Sequence, residues 1–235
     1  MNMALDEACM DAVRAGAVPP TFRLYRWKPS AISIGNFQCY SDEVDAQAVA
    51  AAGIPVVRRL TGGGAVYHDI EGEITYSLVA PASLFPTGIA DTYVQLCGIL
   101  IDAFAELGVA AEFRPINDIS VDGKKISGNA QTRRGDVLLQ HGTVLLTVDP
   151  ARMFHFLTPD KSKLSDKPFI ASVNAAVSCL AEHGVSDRAQ VERVLKGAFM
   201  QRFPGTPGAW TANELSHAEK LVQSRYGTDE WTRLR

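Results

Sequence analysis

Within residues 54–79 three β-rich segments, IPVVRRL, GAVYH and EITYSLV, follow one another with only TGGG and DIEG between them. Connections this short leave no room for the crossover helix that joins parallel neighbours, so the stretch reads as an antiparallel run. TFRLYRW and SAISIG alternate in the strand manner on either side of Lys28 and Pro29 and predict a hairpin. AAEFR, DISVDGKKISG and DVLLQHGTVLLTV add further strands, with DG and RGD as turns. Helical spacing is confined to other places: Met3, Leu5, Ala8, Cys9 and Ala12 at the start, EVDAQAVAAAG up to Gly53, and TYVQLCGILIDAFAELG with Leu96, Leu100, Phe104 and Leu107 on one face. From Pro150 onward short helices dominate, including AQVERVLKGAFMQRF and ANELSHAEKLVQSRYG. The expected class is α+β, with mixed or mainly antiparallel sheets flanked by helices, in one domain over residues 1–235 whose helical part spans about 150–235.

Charge and cysteine content narrow the function. With 23 basic and 26 acidic residues the net charge is -3, which gives no general field for nucleic acid or an anionic membrane. No run approaches the roughly 18 apolar residues of a membrane span. The N-terminal MNMALDEACMDAVRAG is acidic where a signal peptide would be basic, so a cytoplasmic protein is expected. Four cysteines, Cys9, Cys39, Cys97 and Cys179, lie far apart without a CxxC pair, which suggests buried thiols and neither zinc nor disulfides. Cys39, in the loop-like GNFQCYS, is the one candidate reactive thiol.

Two stretches carry the chemistry. In RRLTGGGAVYHD the glycines Gly62, Gly63 and Gly64 remove Cβ from three successive positions, so a ligand or another backbone can approach closely. Arg58 and Arg59 supply forked cationic donors, of which strand alternation lets only one face a site. In NDISVDGKKISGNAQ two lysines, Lys124 and Lys125, likewise point to opposite faces, and SGNAQ is small and polar where a strand is usually bulky, as if something lies against the backbone. His141 and Gly142 sit among apolar strand residues in LLQHGTVLL. There is neither a GxxxxGK[ST] loop nor a GxGxxG turn opening a helix.

These three stretches in this order, together with NMALDEA, IGNFQ and EKLVQSRYGTDEW, resemble the lipoate–protein ligase A family, which shares a superfamily with biotin ligases and octanoyltransferases. The resemblance implies a biotin/lipoyl ligase-like catalytic domain that condenses lipoate with ATP and Mg2+ to lipoyl-AMP. The lipoyl group then passes to a lysine of a carrier domain, of the 2-oxoacid dehydrogenase E2 or glycine cleavage H protein type. Lys125 matches the family's essential lysine. Arg59, Gly62, Gly63, Gly64, Tyr67, His68, Asn117, Asp118, Gly128, Ala130 and His141 are the implied substrate and adenylate contacts, Asp118 being the candidate for magnesium. Phe37, Leu60, Val66 and Tyr67 are candidates for the acyl channel. Longer members carry a C-terminal accessory domain, whereas this chain ends at TDEWTRLR, so a separate small accessory subunit is expected.

Two other readings remain. The first is an octanoyl or lipoyl transferase that moves the acyl group between carriers through a cysteine thioester. Cysteine-using relatives carry that thiol a little before the VDGKK-type hairpin, and here the segment reads FRPINDIS, with no cysteine, which argues against this reading. The second is a non-catalytic module that binds lipoyl-adenylate.

Overall fold

The computed structural model describes residues 1–158 and 177–235. Part of the helical region expected from Pro150 onward therefore lies outside the described residues.

Among the described residues nine strands form two sheets: β1 Thr21–Tyr25, β2 Ala31–Ile34, β3 Val56–Arg58, β4 Val66–His68, β5 Glu73–Pro81, β6 Glu112–Arg114, β7 Asp118–Val121, β8 Lys124–Arg134 and β9 Val137–Leu145. The larger sheet has the order β1-β5-β9-β8-β7-β6, antiparallel at every pairing. The smaller has the order β3-β2-β4, with β2 parallel to β3 and antiparallel to β4. This is the α+β arrangement with mixed and antiparallel sheets that the sequence implies.

Two local expectations change. TFRLYRW and SAISIG do not form a hairpin: β1 pairs with β5 in the large sheet, while β2 begins the small one. Both segments have strand character, but Trp27 and Ser30 between them are buried, and the chain uses this connection to cross from one sheet to the other. Nor do IPVVRRL, GAVYH and EITYSLV form an antiparallel run. β2 lies between β3 and β4, and β5 belongs to the other sheet. The TGGG segment thus spans the end of β2.

The helices follow from their sequences. Helix α1, Asn2–Arg14, buries Met3, Leu5, Ala8, Cys9 and Met10. After the short α2, Tyr40–Glu43, helix α3, Ala46–Ala52, starts where the Asp45 carboxylate accepts from the Gln47 and Ala48 amides and stops at left-handed Gly53. Helix α4, Ile89–Glu106, lays Leu96, Leu100 and Phe104, all fully buried, on the large sheet. Burial of each such side chain contributes about 1.5–3 kcal/mol. Beyond α5, Pro150–Phe156, helix α6, Arg188–Arg202, joins that core through Val191, Leu195 and Phe199. Helix α7, Ala212–Leu221, opens with a reciprocal Thr211–Glu214 capping box and packs on α1, and α8, Asp229–Thr232, follows. The C-terminal helices therefore cover the sheets. Among the described residues no helix is long and apolar enough to cross a membrane.

Candidate active site

The two sheets bound a cleft with about 580 Å³ of open space. The small sheet contributes Ser33, Val66 and His68, the loop between β3 and β4 contributes Arg59, Gly63, Gly64 and Ala65, and the facing strands of the large sheet contribute Lys125, Gly128, Asn129, Ala130, His141, Gly142 and Thr143. Met3, Trp27, Ala65 and Val66 give it apolar wall, while Asn117 and Lys125 belong to its polar lining. Such a pairing of apolar surface with a few directed polar groups suits an acyl chain that ends in a reactive carbonyl.

Lys125 is held in a defined place. Its Nζ donates to Asp118 Oδ1 at 2.7 Å across the β7–β8 hairpin, and both side chains are partly exposed. The hairpin turns at Asp122 and Gly123, both with positive φ. The Lys125 stem lies over Gly128: a Cβ there would stand 2.6 Å from Lys125 Cε and 2.7 Å from Nζ. The unfilled strand position that the sequence shows is the bed of the lysine. Asp118, by accepting from Lys125, acts on its orientation. Among the described residues there is no group of three or more His, Cys, Asp or Glu side chains that could hold a metal ion.

The arginines divide their work sharply. Arg58, fully buried, donates to the carbonyls of Gly35, Asn36, Gln38, Trp231 and Thr232, and so pins the loop after β2 to α8. Arg59 turns to the cleft. Its Nε donates to Thr61 Oγ1 at 3.0 Å, one terminal nitrogen to the Ser33 carbonyl and hydroxyl, both at 3.1 Å, and the other to the carbonyls of Gly62 at 2.7 Å and Gly64 at 2.8 Å. All five of its donors are engaged. Arg59 thus shapes the glycine loop from beneath. Burial pulls its pKa down to about 10, which still leaves it charged at neutral pH. Gly63 takes a φ of +93°, and its carbonyl oxygen occupies the place where a Cβ on Gly35 would be. The glycine run therefore permits close backbone packing as well as access to the cleft.

Two hydroxyl–imidazole–carboxylate relays support Arg59. Thr61 Oγ1 lies 2.8 Å from His141 Nε2, and His141 Nδ1 lies 3.0 Å from Asp6 Oδ2. Because Arg59 donates to Thr61, the consistent assignment has Thr61 donating to Nε2 and Nδ1–H donating to Asp6, with a neutral ring. Burial holds the His141 pKa below its ordinary value, and the Asp6 charge is met by Arg23 at 2.7 Å. In the second relay Ser33 Oγ lies 2.8 Å from His68 Nε2, and His68 Nδ1 is 2.8 Å from Glu73 Oε1. Thr75 also donates to Glu73, and the Trp27 ring stacks on His68 at 4.1 Å.

Of the residues implied by the sequence, Arg59, Gly63, Gly64, His68, Asn117, Lys125, Gly128, Ala130 and His141 line this cleft. Gly62, Tyr67 and Asp118 do not. Strand alternation places Val66 and His68 on the cleft side of β4, whereas Tyr67 packs against Phe156 on the other. Leu60 belongs to the core around α1, and Phe37 stands exposed beside Gly62. Asp6, Ser33, Glu73 and Asn129 were missed by sequence reasoning. Asn129 ties the Asn117 segment to β8 through paired side-chain and carbonyl hydrogen bonds, and its Oδ1 accepts from Tyr76 Oη at 2.6 Å. The small polar run SGNAQ was the only signal for it.

A family model for the lipoyl protein ligase A/B catalytic domain matches residues 1–200. An octanoyltransferase LipM from Symbiobacterium thermophilum is 36% identical over 98% of this chain and 92% of its own length. Another from Kyrpidia tusciae is 37% identical over 98% and 93%. Among solved structures, the bipartite lipoate protein ligase of an archaeal lipoylation system from Thermoplasma acidophilum, studied with its E2 lipoyl domain, superposes with a TM-score of 0.87 at 28% identity, covering 99% of this chain and 90% of that one. The expectation of an ATP-dependent, AMP-forming lipoate ligase is overturned by the octanoyltransferase relatives, which match the chain at higher identity than that ligase does and favour the acyltransferase alternative. The glycine loop and the lysine hairpin suit either chemistry; what pointed to the ligase was the lack of a cysteine in FRPINDIS, before the lysine hairpin.

Proposed function

The chain belongs to the lipoyl protein ligase A/B catalytic domain family, and from that premise we propose that it transfers an octanoyl-class acyl group from a carrier-protein thioester to the lysine amine of a lipoyl carrier domain. The observation that carries the reading is Lys125, held by Asp118 at 2.7 Å beside a cleft with apolar walls. In this reading the acyl chain lies along Met3, Trp27, Ala65 and Val66. The carbonyl oxygen, which gains negative charge as the tetrahedral intermediate forms, accepts from the Lys125 ammonium. A preorganised cation aimed at developing charge is worth more in a cleft partly closed to water than in bulk solvent. Asp118 and Gly128 keep the ammonium in place, and Arg59 fixes the opposite wall by holding the glycine loop.

The test is direct. Purified protein is incubated with an octanoyl-loaded carrier and an unmodified lipoyl domain, without nucleotide, and the lipoyl domain is weighed by intact mass spectrometry. One octanoyl group on its lysine is expected, and loss of that product in Lys125→Ala. An unmodified domain after prolonged incubation with wild-type protein sinks the reading.

A further inference from the structure

Polar side chains link by hydrogen bonds across the face of the large sheet that α4 covers, and the row they form ends at the cleft. Gln131 Nε2 on β8 donates to Gln140 Oε1 on β9 at 3.0 Å, and Gln140 Nε2 donates to Tyr76 Oη on β5 at 2.8 Å. Tyr76 Oη donates to Asn129 Oδ1 at 2.6 Å, and Asn129 Nδ2 donates to the Asn117 carbonyl at 2.9 Å. That backbone carbonyl fixes every direction. It can only accept, so Asn129 turns its nitrogen to Asn117 and its oxygen to Tyr76, the phenol donates, and each glutamine donates in turn. Tyr76 and Gln140 are fully buried and Asn129 nearly so. Burial pushes the Tyr76 pKa up, which keeps the phenol protonated as a donor.

The fold makes room for this row. Tyr76 and Asn129 meet across Gly142 on the strand between them, where a Cβ would stand 2.7 Å from Tyr76 Cε1 and press on Asn129 Oδ1. Amides and a phenol are a costly filling for a core that also holds Ile74, Leu78, Leu96 and Leu100, because apolar groups of similar size need no partners. What the row supplies lies at its cleft end. Asn117 Nδ2 donates back to the Asn129 carbonyl, and the Asn129 backbone amide also donates to the Asn117 carbonyl, so the residue before β7 is clamped to β8. The next residue is Asp118, which holds Lys125 Nζ at 2.7 Å.

Resting on the acyltransferase reading above, we infer that Tyr76 is a positioning residue for acyl transfer: through Asn129 and Asn117 it fixes Asp118, and through Asp118 the Lys125 ammonium that meets the carbonyl oxygen. Without the Tyr76 hydroxyl, nothing in the row holds the Asn129 oxygen away from Asn117, and the amide is free to rotate. The clamp on Asn117 then loosens, Asp118 shifts, and the ammonium leaves the place where charge develops. The interaction lost is one made in the transition state, so kcat falls while KM does not. Gln140 acts one link further from the cleft than Tyr76, and its removal has the smaller effect.

The experiment has two arms. In the first, octanoyl transfer to a lipoyl domain is measured for wild type, Tyr76→Phe, Gln140→Met and Ile74→Val. Ile74 is a fully buried apolar residue on the same strand as Tyr76, so its shortening lowers stability without removing a hydrogen bond. In Tyr76→Phe kcat should fall about tenfold or more, with KM for each carrier within about twofold of wild type. Gln140→Met should lose less, and Ile74→Val should keep its kcat within about twofold. A wild-type kcat in Tyr76→Phe overturns the inference, and so does an equal loss in Ile74→Val, since the fall would then follow stability. Should Tyr76→Phe not fold, Gln140→Met decides: a lowered kcat at unchanged KM supports the inference, and a wild-type kcat overturns it. The second arm needs no turnover. Reductive methylation of Lys125, followed by mass spectrometry against the exposed Lys196, should run faster in Tyr76→Phe than in wild type, because an ammonium released from Asp118 is more often free. Equal rates overturn the inference. If wild-type protein yields no octanoylated lipoyl domain, the acyltransferase reading fails, and the methylation arm still shows whether Tyr76 holds the ammonium in place.

Discussion

At Lys125 a single methyl group should separate activity from stability. Gly128→Ala would place its Cβ against the far end of a flexible, partly exposed side chain, so the lysine swings aside while the strand remains paired. The expected outcome is an activity loss of tenfold or more, with an unfolding free energy within about 1 kcal/mol of wild type. Lys125→Ala should lower kcat/KM by about 10²–10³-fold, also with little loss of stability, because the Asp118 carboxylate it leaves behind still reaches water. Octanoyl-transfer rates set beside urea unfolding of the two variants check both. Wild-type rates in Gly128→Ala would mean that the position of the ammonium over Gly128 is irrelevant to the chemistry.

The glycine loop is an element held by one side chain. Arg59 binds Gly62, Gly64, Ser33 and Thr61 at once, and removing it leaves several buried acceptors without donors. Arg59→Met should therefore cost about 2–4 kcal/mol of stability and abolish transfer. Arg59→Lys keeps the charge but offers three donors from a single point, so an intermediate loss is expected. Urea midpoints of the three proteins test this, and a Met variant within about 0.5 kcal/mol of wild type would show that the loop holds itself. The dual origin of the loop's shape explains what its sequence concealed. TGGG announces backbone access, yet nothing in RRLTGGG tells that Arg58 reaches α8 and Arg59 reaches back under its own loop. Alternation required only that they diverge, and so they do.

Across the whole molecule, local pattern was legible and long-range pairing was not. The helical stripe at Leu96, Leu100 and Phe104, the stop at Gly53 and the DG turn before Lys124 are written in spacings of a few residues, and all three hold. Whether β1 pairs with β2 or with β5 is decided by burial some 50 residues away, which short alternation does not encode. The same distance hid the His141 relay, since Asp6 lies 135 residues earlier. That relay predicts a pH dependence of stability. Burial holds the native His141 pKa below its unfolded value of 6.5, so below that pH the unfolded chain binds a proton that the folded protein refuses. Its contribution is fully present above pH 6.5 and is lost as pH falls from there towards the native pKa, at a slope of up to about 1.4 kcal/mol per pH unit. Asp6, whose pKa is lowered from 3.8, titrates below this window and does not blur it. Urea unfolding at pH 7.5, 6.5 and 5.5 should accordingly show wild type losing stability on acidification. His141→Gln should be less stable than wild type at pH 7.5 and should decline less steeply. Equal slopes in the two proteins would mean that His141 takes up its proton as readily in the fold as out of it, and the neutral relay beneath Arg59 would have to be abandoned.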